Sequence, residues 1–315
     1  MKVVITEDLW VPLPEDFRAR HRVIYDPALF RDPARLAAHL AEAEALVVRN
    51  RTRVTGELLA AAPRLRLVGR LGVGLDNLDL AACRARGVTV VAARGMNATS
   101  VAEYVMAALF EHARRLSAAS ARTRAGEWNR QACTGRELAG RTLGLIGVGD
   151  IGGRVAIRAR AIGMRVIAHD PFLLPSGMLT QDFGVALTSL EEVCREADYV
   201  SLHAPLTAQT RHLVGARALG WMKQTAVLIN TARGGLVDER ALADWLTASP
   251  DRFAVLDVRE VEPPAPDDPL ARLPNVLLTP HIAGVTEESA HRVATFILDQ
   301  VDRASRGEPV QGVVI

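Results

Sequence analysis

The chain has 315 residues, a formal net charge of +2 and 49% hydrophobic residues, more apolar material than a single core comfortably uses, so two domains are expected. Its 38 basic side chains are scattered among 36 acidic ones rather than gathered into runs, which argues against a nucleic-acid or membrane partner. Cys83, Cys133 and Cys194 are odd in number and lack C-x-x-C spacing, which argues against a disulfide frame; no metal-ligand cluster is visible. Met1 leads straight into a strand-like run, with no leader and no apolar stretch of membrane-spanning length, so the expected location is cytoplasmic.

Short apolar runs recur at residues 3–5, 23–25, 45–48, 65–68 and 88–91. Alanine-rich amphipathic stretches at 33–44 and 78–86 lie between them, the alternation of a parallel sheet wrapped by helices. Ser100-Val101-Ala102-Glu103 reads as a capping box, and Val101, Tyr104, Val105, Ala108 and Leu109 follow at helical spacing, so a long helix is predicted to start there and pass between domains.

A second α/β unit begins at Arg141 with a strand at 142–146. It runs directly into Gly147-Val148-Gly149-Asp150-Ile151-Gly152 and a helix-like segment from Gly153. A lone G-x-G-x-x-G is weak, but a glycine turn between a buried strand and a helix brings backbone N–H groups and a helix N-terminus to a pyrophosphate. The next strand, 165–168, ends in His169-Asp170, 18 residues beyond Gly152. The Asp170 carboxylate can accept from both ribose hydroxyls and repel a 2′-phosphate, so the predicted cofactor is NAD. Further strands are predicted at 199–202, 227–230, 253–256 and 276–278, and a last amphipathic helix at 286–306 is expected to pack back on the first domain.

Three segments at predicted strand ends carry candidate chemistry: 230–235 with Arg233, 257–263 with Glu262, and 279–284 with His281. Removing hydride from a 2-hydroxy acid needs a base for the hydroxyl proton, a group that orients the base, and a cation that fixes the carboxylate. His281 can serve as the base. Glu262 on its other ring nitrogen would set the tautomer and favour the imidazolium, and Arg233 can grip the carboxylate in a bidentate fork. The expected binding site is the cleft between domains.

These residues and several ordered motifs make the chain similar to the D-isomer-specific 2-hydroxyacid dehydrogenases over nearly its whole length. The motifs are residues 69–77 (GRLGVGLDN), 97–103 (NATSVAE), the glycine turn with Asp170, 203–207 (HAPLT), 230–238, 257–263 and Pro280-His281. The resemblance implies an α/β fold of two doubly wound parallel-sheet domains. One is a discontinuous, flavodoxin-like substrate domain, 1–98 plus 284–315; the other is a Rossmann NAD domain, 99–283, that also forms a homodimer. It implies Arg233, Glu262 and His281 as catalytic residues. Cofactor contacts are implied from Val73, Gly147, Gly149, Asp150, Ile151, Gly152, Asp170, His203, Ala204, Thr231, Ala232, Asp257 and Gly284. Substrate contacts are implied from Arg49, Arg70, Val73, Gly74, Asn97 and Arg130, besides Arg233 and His281. One departure stands out: Arg259 occupies a position where the family usually has Phe.

Within the family, Arg49, Arg70 and Arg130 match positions at which 3-phosphoglycerate dehydrogenases resemble a clamp for a second anion. A lactate-type acid needs one cation, so the surplus points to a dianionic small-molecule substrate such as 3-phosphoglycerate, with sulfolactate, or a glycerate or glyoxylate type of acid, as the alternatives. The chain ends soon after its last helix, so control by a C-terminal regulatory domain is not expected. A non-catalytic NAD-sensing corepressor on the same fold is the alternative class. It would keep the glycine turn and Asp170 but has no use for Arg233, Glu262 and His281 together.

Overall fold

Two parallel sheets organise the computed structural model, which describes residues 1–315. The chain divides into a first unit, Met1–Asn97 with Val285–Ile315, and a second unit, Ala98–Gly284. The first unit opens with β1 (Lys2–Ile5), α1 (Glu15–Arg20), β2 (Arg22–Tyr25), α2 (Pro33–Leu40), β3 (Ala45–Val48), α3 (Gly56–Ala60), β4 (Leu67–Arg70), α4 (Leu80–Ala85) and β5 (Thr89–Ala92). The strands are parallel in the order β2-β1-β3-β4-β5, the flavodoxin-like arrangement. Both faces are covered, so β3 and β4 are buried at every residue, and β3 reads as a continuous apolar run rather than an alternating one. Asp32, Thr55 and Asp79 cap α2, α3 and α4 by accepting from the third helical N–H, worth about 1 kcal/mol each.

The second unit contains α5 (Ala98–Arg114), α6 (Leu116–Arg124), β6 (Thr142–Ile146), α7 (Asp150–Ala161), β7 (Arg165–His169), α8 (Met178–Gln181) and β8 (Ala186–Leu187). It continues with α9 (Leu190–Glu196), β9 (Tyr199–Leu202), α10 (Ala216–Trp221), β10 (Val227–Asn230), α11 (Glu239–Thr247), β11 (Phe253–Leu256) and β12 (Val276–Leu278). All seven strands are parallel, in the order β12-β11-β10-β9-β6-β7-β8. The order reverses between β6 and β9, and in the first unit between β1 and β3. Ligands of open α/β sheets bind beyond the carboxyl ends at such reversals.

The chain then returns to the first unit as α12 (Glu287–Ser305), whose Val293, Ile297, Leu298 and Val301 join the core on one face of the first sheet. A Cβ on Gly69 of β4 would lie 2.6 Å from Ile297 Cγ2, so this helix packs as close as glycine permits. Residues 312–315 then run beside β5: Val313 bridges Val91, and the Val314 N–H donates to Val90 O at 2.8 Å.

Some elements fall elsewhere than the sequence predicts. Ser100 is no cap: α5 starts at Ala98, and Ser100 lies buried in its first turn beside Val101 and Ala102. The apolar face begins at Ala98, and its packing outweighs the local capping pattern. The fourth strand starts two residues after the run at 65–68 and takes in Gly69 and Arg70, so Arg70 ends a strand. α7 starts at Asp150 rather than at Gly153, which brings its N-terminus onto the glycine turn. α6, for which the sequence carries no apolar stripe, buries none of its residues.

Candidate active site

The three glycines of the turn after β6 do not share one physical reason. Gly147 sits at φ +92°, and a Cβ there would be 2.8 Å from both His203 C and Ala204 N. A Cβ on Gly152 would be 2.3 Å from Gly147 O, so helix and turn close on each other only without a side chain. At Gly149 a Cβ would meet nothing within 4 Å. Two positions are therefore glycine because of packing and the middle one opens on free space, where a pyrophosphate can approach the backbone at the start of α7.

Asp170, just past β7, is tied to that turn: its carboxylate accepts from Val148 N at 2.7 Å and from Phe172 N at 2.8 Å. His203, past β9, donates its main-chain N–H to Ile146 O at 2.7 Å, and its ring Nε2 lies 3.0 Å from Ser201 Oγ. Burial pushes the His203 pKa down to about 4, so the ring is neutral. His203 Nδ1 and, past β10, Thr231 Oγ1 are buried polar atoms without a partner in the chain, as expected of groups that await a ligand. Asp150, Ile151 and Ala204 border the same turn, whereas Ala232 and Asp257 sit at the carboxyl ends of β10 and β11.

His281 and Glu262 meet: Nδ1 is 2.8 Å from Oε2. His281 holds the left-handed conformation at φ +57°, unusual for a residue with a Cβ and costing of order 1–2 kcal/mol. Asp257 offsets this cost. Its carbonyl accepts the His281 N–H at 2.8 Å, and its buried carboxylate accepts from Ile282 N at 2.7 Å, Ala283 N at 2.8 Å and Thr279 Oγ1 at 2.7 Å. Tyr104 of α5 contacts the same Thr279 hydroxyl at 2.5 Å. Burial alone would raise the Glu262 pKa, but hydrogen bonds from His281 and from Arg259 N–H, with the nearby charges of His281 and Arg233, bring it below the usual value. Glu262 therefore faces the imidazole as a carboxylate.

Arg233 follows β10 in a turn spanned by the Asn230 amide, which donates to Arg233 O at 2.9 Å and accepts from Ala232 N at 3.1 Å. The next residue is glycine out of necessity: a Cβ on Gly234 would sit 1.9 Å from the Arg259 carbonyl carbon. Arg233, Glu262 and His281 thus come from the carboxyl ends of three adjacent strands of one sheet, β10, β11 and β12.

In the first unit, Arg49 and Arg70 lie at the ends of adjacent strands, β3 and β4. The Arg49 guanidinium donates to Asp8 O at 3.1 Å and Leu9 O at 3.2 Å and stacks 3.6 Å from the centroid of the Trp10 ring. Burial pushes its pKa down to about 10 against the opposing charges of Glu7 and Asp8, so it stays cationic at neutral pH. Arg70 is buried, with Nη1 donating to Leu71 O at 2.7 Å. Val73 is exposed, Gly74 half-buried, and Asn97 half-buried with its Oδ1 inside. Arg130 stands exposed between α6 and β6, and Gly284 ends the second unit. Glu7, Trp10 and Thr279 carry no signal in the sequence. Only the fold shows that they hold the loops bearing Arg49 and His281.

Comparison with known proteins supplies the chemistry's context. Residues 106–283 match the model of the D-isomer specific 2-hydroxyacid dehydrogenase, NAD binding domain. The chain is 47% identical over 302 residues to the (S)-sulfolactate dehydrogenase of Chromohalobacter salexigens, covering 96% of this chain and 97% of that one. It is 41% identical over 280 residues to the D-3-phosphoglycerate dehydrogenase of Methanocaldococcus jannaschii, covering 89% of this chain but 53% of that one, so it spans about half the length of that relative. The structure of D-lactate dehydrogenase from Aquifex aeolicus, complexed with NAD and lactic acid, superposes with a TM-score of 0.86 at 30% identity, covering 97% of this chain and 96% of that one. No helix is long and apolar enough to cross a membrane. With NAD as its cofactor, the chain belongs to the D-isomer-specific 2-hydroxyacid dehydrogenase family.

Proposed function

We propose that the protein oxidises, or forms by reduction, a D-configured 2-hydroxy acid that bears a second anion, with Arg233, Glu262 and His281 as the reacting set. NAD, when bound, would accept the hydride that leaves C2 of the acid, and NADH would return it in the reverse direction. The chain's own part follows from the 2.8 Å contact between His281 Nδ1 and Glu262, the observation that carries the reading. With Nδ1–H donated to the carboxylate, Nε2 bears the lone pair and takes the proton of the C2 hydroxyl. The imidazolium so formed is paired with Glu262. Arg233 holds the substrate carboxylate, fixing which face of C2 is presented.

The cations at the carboxyl edge of the first sheet support a second anion. Arg49 lies at the β1/β3 reversal, held by two carbonyls and an indole face, which is more order than a surface arginine needs. Between sulfonate and phosphate, the sulfonate ranks first, because the sulfolactate relative matches end to end and the phosphoglycerate relative over half its length. The stereochemical names agree. Sulfur outranks oxygen in the descriptor, so (S)-sulfolactate and D-lactate arrange hydroxyl, hydrogen and carboxylate identically about C2. The test is NADH formation with (S)-sulfolactate, D-3-phosphoglycerate, D-glycerate and D-lactate. One of the two dianionic acids is expected to have the highest kcat/KM; a preference for D-lactate would overturn the second anion, and silence with all four would overturn the dehydrogenase assignment of these residues. The reading includes a homodimer through the second unit, where α6 buries nothing and Leu116 and Trp128 stand exposed; sedimentation at monomer mass would remove it.

A further inference from the structure

Beside the reacting set lies a cation that this reading does not use. The Arg259 side chain is 7% exposed and is held by two carboxylates. Nε and Nη2 donate to the two oxygens of Glu239 at 2.9 and 3.0 Å, and Nη1 donates to Asp268 at 2.5 Å. Glu239 is the first residue of α11, and Asp268 caps the short 3-10 turn Pro269–Arg272 by accepting from Leu270 N. One guanidinium thus links the start of α11 to the cap of the 3-10 turn, two elements whose apolar side chains Leu242 and Leu270 share one core.

The main chain of the same residue touches both sides of the site. Its N–H donates to Glu262 Oε1 at 3.0 Å, leaving Oε2 to face His281. Its carbonyl lies against Gly234, so close that a Cβ there would be 2.0 Å from the oxygen, and the turn that presents Arg233 rests on it. Glu239 reinforces the arrangement by also accepting the Glu260 N–H at 2.8 Å.

We infer that Arg259 is a positioning residue: clamped between Glu239 and Asp268, it holds the segment that aims the Glu262 carboxylate at His281 and supports the turn of Arg233. This rests on the proposed roles of Glu262 and His281. A bidentate, doubly paired guanidinium suits the task, because its planar fork fixes direction as well as distance. Misplacing a reacting group by an ångström is enough to cost about a hundredfold in rate.

The experiment compares Arg259→Met, Arg259→Lys, Glu239→Gln and Glu262→Gln with the parent, using whichever of (S)-sulfolactate and D-3-phosphoglycerate the parent oxidises faster. The readouts are kcat, KM, NADH affinity by fluorescence and the pH profile of kcat/KM. Ionisable groups facing Glu262 and Arg259 are His281, Arg233, Glu239 and Asp268, with Glu260 and its partner His212 alongside. Arg259→Met is expected to lose about tenfold or more in kcat, with NADH affinity within about twofold, and to move the acidic limb of the profile to lower pH, as Glu262→Gln does. Arg259→Lys, which keeps the charge without the fork, should fall between. Should the methionine variant not fold, which removal of one partner from a buried ion pair can cause, Glu239→Gln decides: it keeps an acceptor and its expected loss is several-fold. Parent-like kcat and acidic limb in folded Arg259→Met, or in Glu239→Gln when the methionine variant does not fold, overturn the inference alone if Glu262→Gln is impaired. If Glu262→Gln is itself parent-like, the pairing of Glu262 with His281 falls as well.

Discussion

Both units use a buried carboxylate at the end of one strand to fix the loop that follows its neighbour, but they divide the labour differently. In the first unit Glu7, past β1, accepts the main-chain N–H groups of Arg49, Asn50, Arg51 and Thr52 beyond β3, at 2.8 to 3.1 Å. In the second, Asp257, past β11, accepts from Ile282, Ala283 and the Thr279 hydroxyl beyond β12. Glu7 also offsets the charge of Arg49, the side chain that its loop presents. Asp257 does not meet the imidazole that its loop presents; a second carboxylate, Glu262, does. A permanently charged arginine lets one acid both anchor the loop and neutralise the charge. In the proposed mechanism His281 gains and loses a proton, and an anchor separate from its partner would keep the loop fixed through that exchange.

This division makes different kinds of damage in the two places. His281→Ala removes the proposed base and leaves its anchor whole, so turnover should fall about 10²- to 10⁴-fold with NADH affinity unchanged, measured by steady-state rates and fluorescence titration. Parent-like turnover would remove His281 from the mechanism.

Glu7→Gln strikes an anchor. An amide has one oxygen where four N–H groups converge and sets an NH₂ against the rest, so a loss of about 3 kcal/mol in stability is expected from denaturant unfolding at neutral pH. The sign of the pH dependence follows from the hydrogen bonds. Burial alone would raise the Glu7 pKa, but the four N–H groups hold it below 4.5. The stabilisation is therefore present above 4.5 and is lost as pH falls towards the lowered folded value. The parent should lose stability across that window and the variant less; equal slopes would contradict the anchor role.

Smaller still is Asp170→Ala, which removes a charge beside the glycine turn, where the proposed reading puts the ribose, and the acceptor that holds Val148 N. The preference for NAD over NADP in kcat/KM should drop by about tenfold, or about 1.4 kcal/mol. An unchanged preference would assign the choice to another group.

The glycine turn, the strands that bracket it and the segments bearing Arg233, Glu262 and His281 could be read from the chain because each is a local pattern: an apolar run, a turn residue, a charged residue just beyond. The α/β class with two parallel sheets followed from the same alternation. What escaped was contact across strands. Glu7 reaches a loop more than 40 residues away, and nothing around it in sequence distinguishes it from a surface acid. Ser100 failed in the opposite sense, for its capping pattern was local and the packing of α5 from Ala98 overrode it. Arg259 was visible as a departure from the family pattern, but its two carboxylate partners lie 20 residues before and 9 after it, where only the fold brings them together.

The second anion is tested most directly by one ratio: kcat/KM for the preferred dianionic acid over kcat/KM for D-lactate, in the parent and in Arg49→Met. Binding energy from a remote anion also orients the reacting carbon, so its loss appears in kcat/KM. Removing one charged hydrogen-bond partner, worth about 1.5–3 kcal/mol, should lower the ratio by roughly ten- to a hundredfold while the rate with D-lactate stays near that of the parent. An Arg49→Met enzyme that folds and keeps the parent ratio would contradict the role of the first sheet's arginine in recognising the substrate.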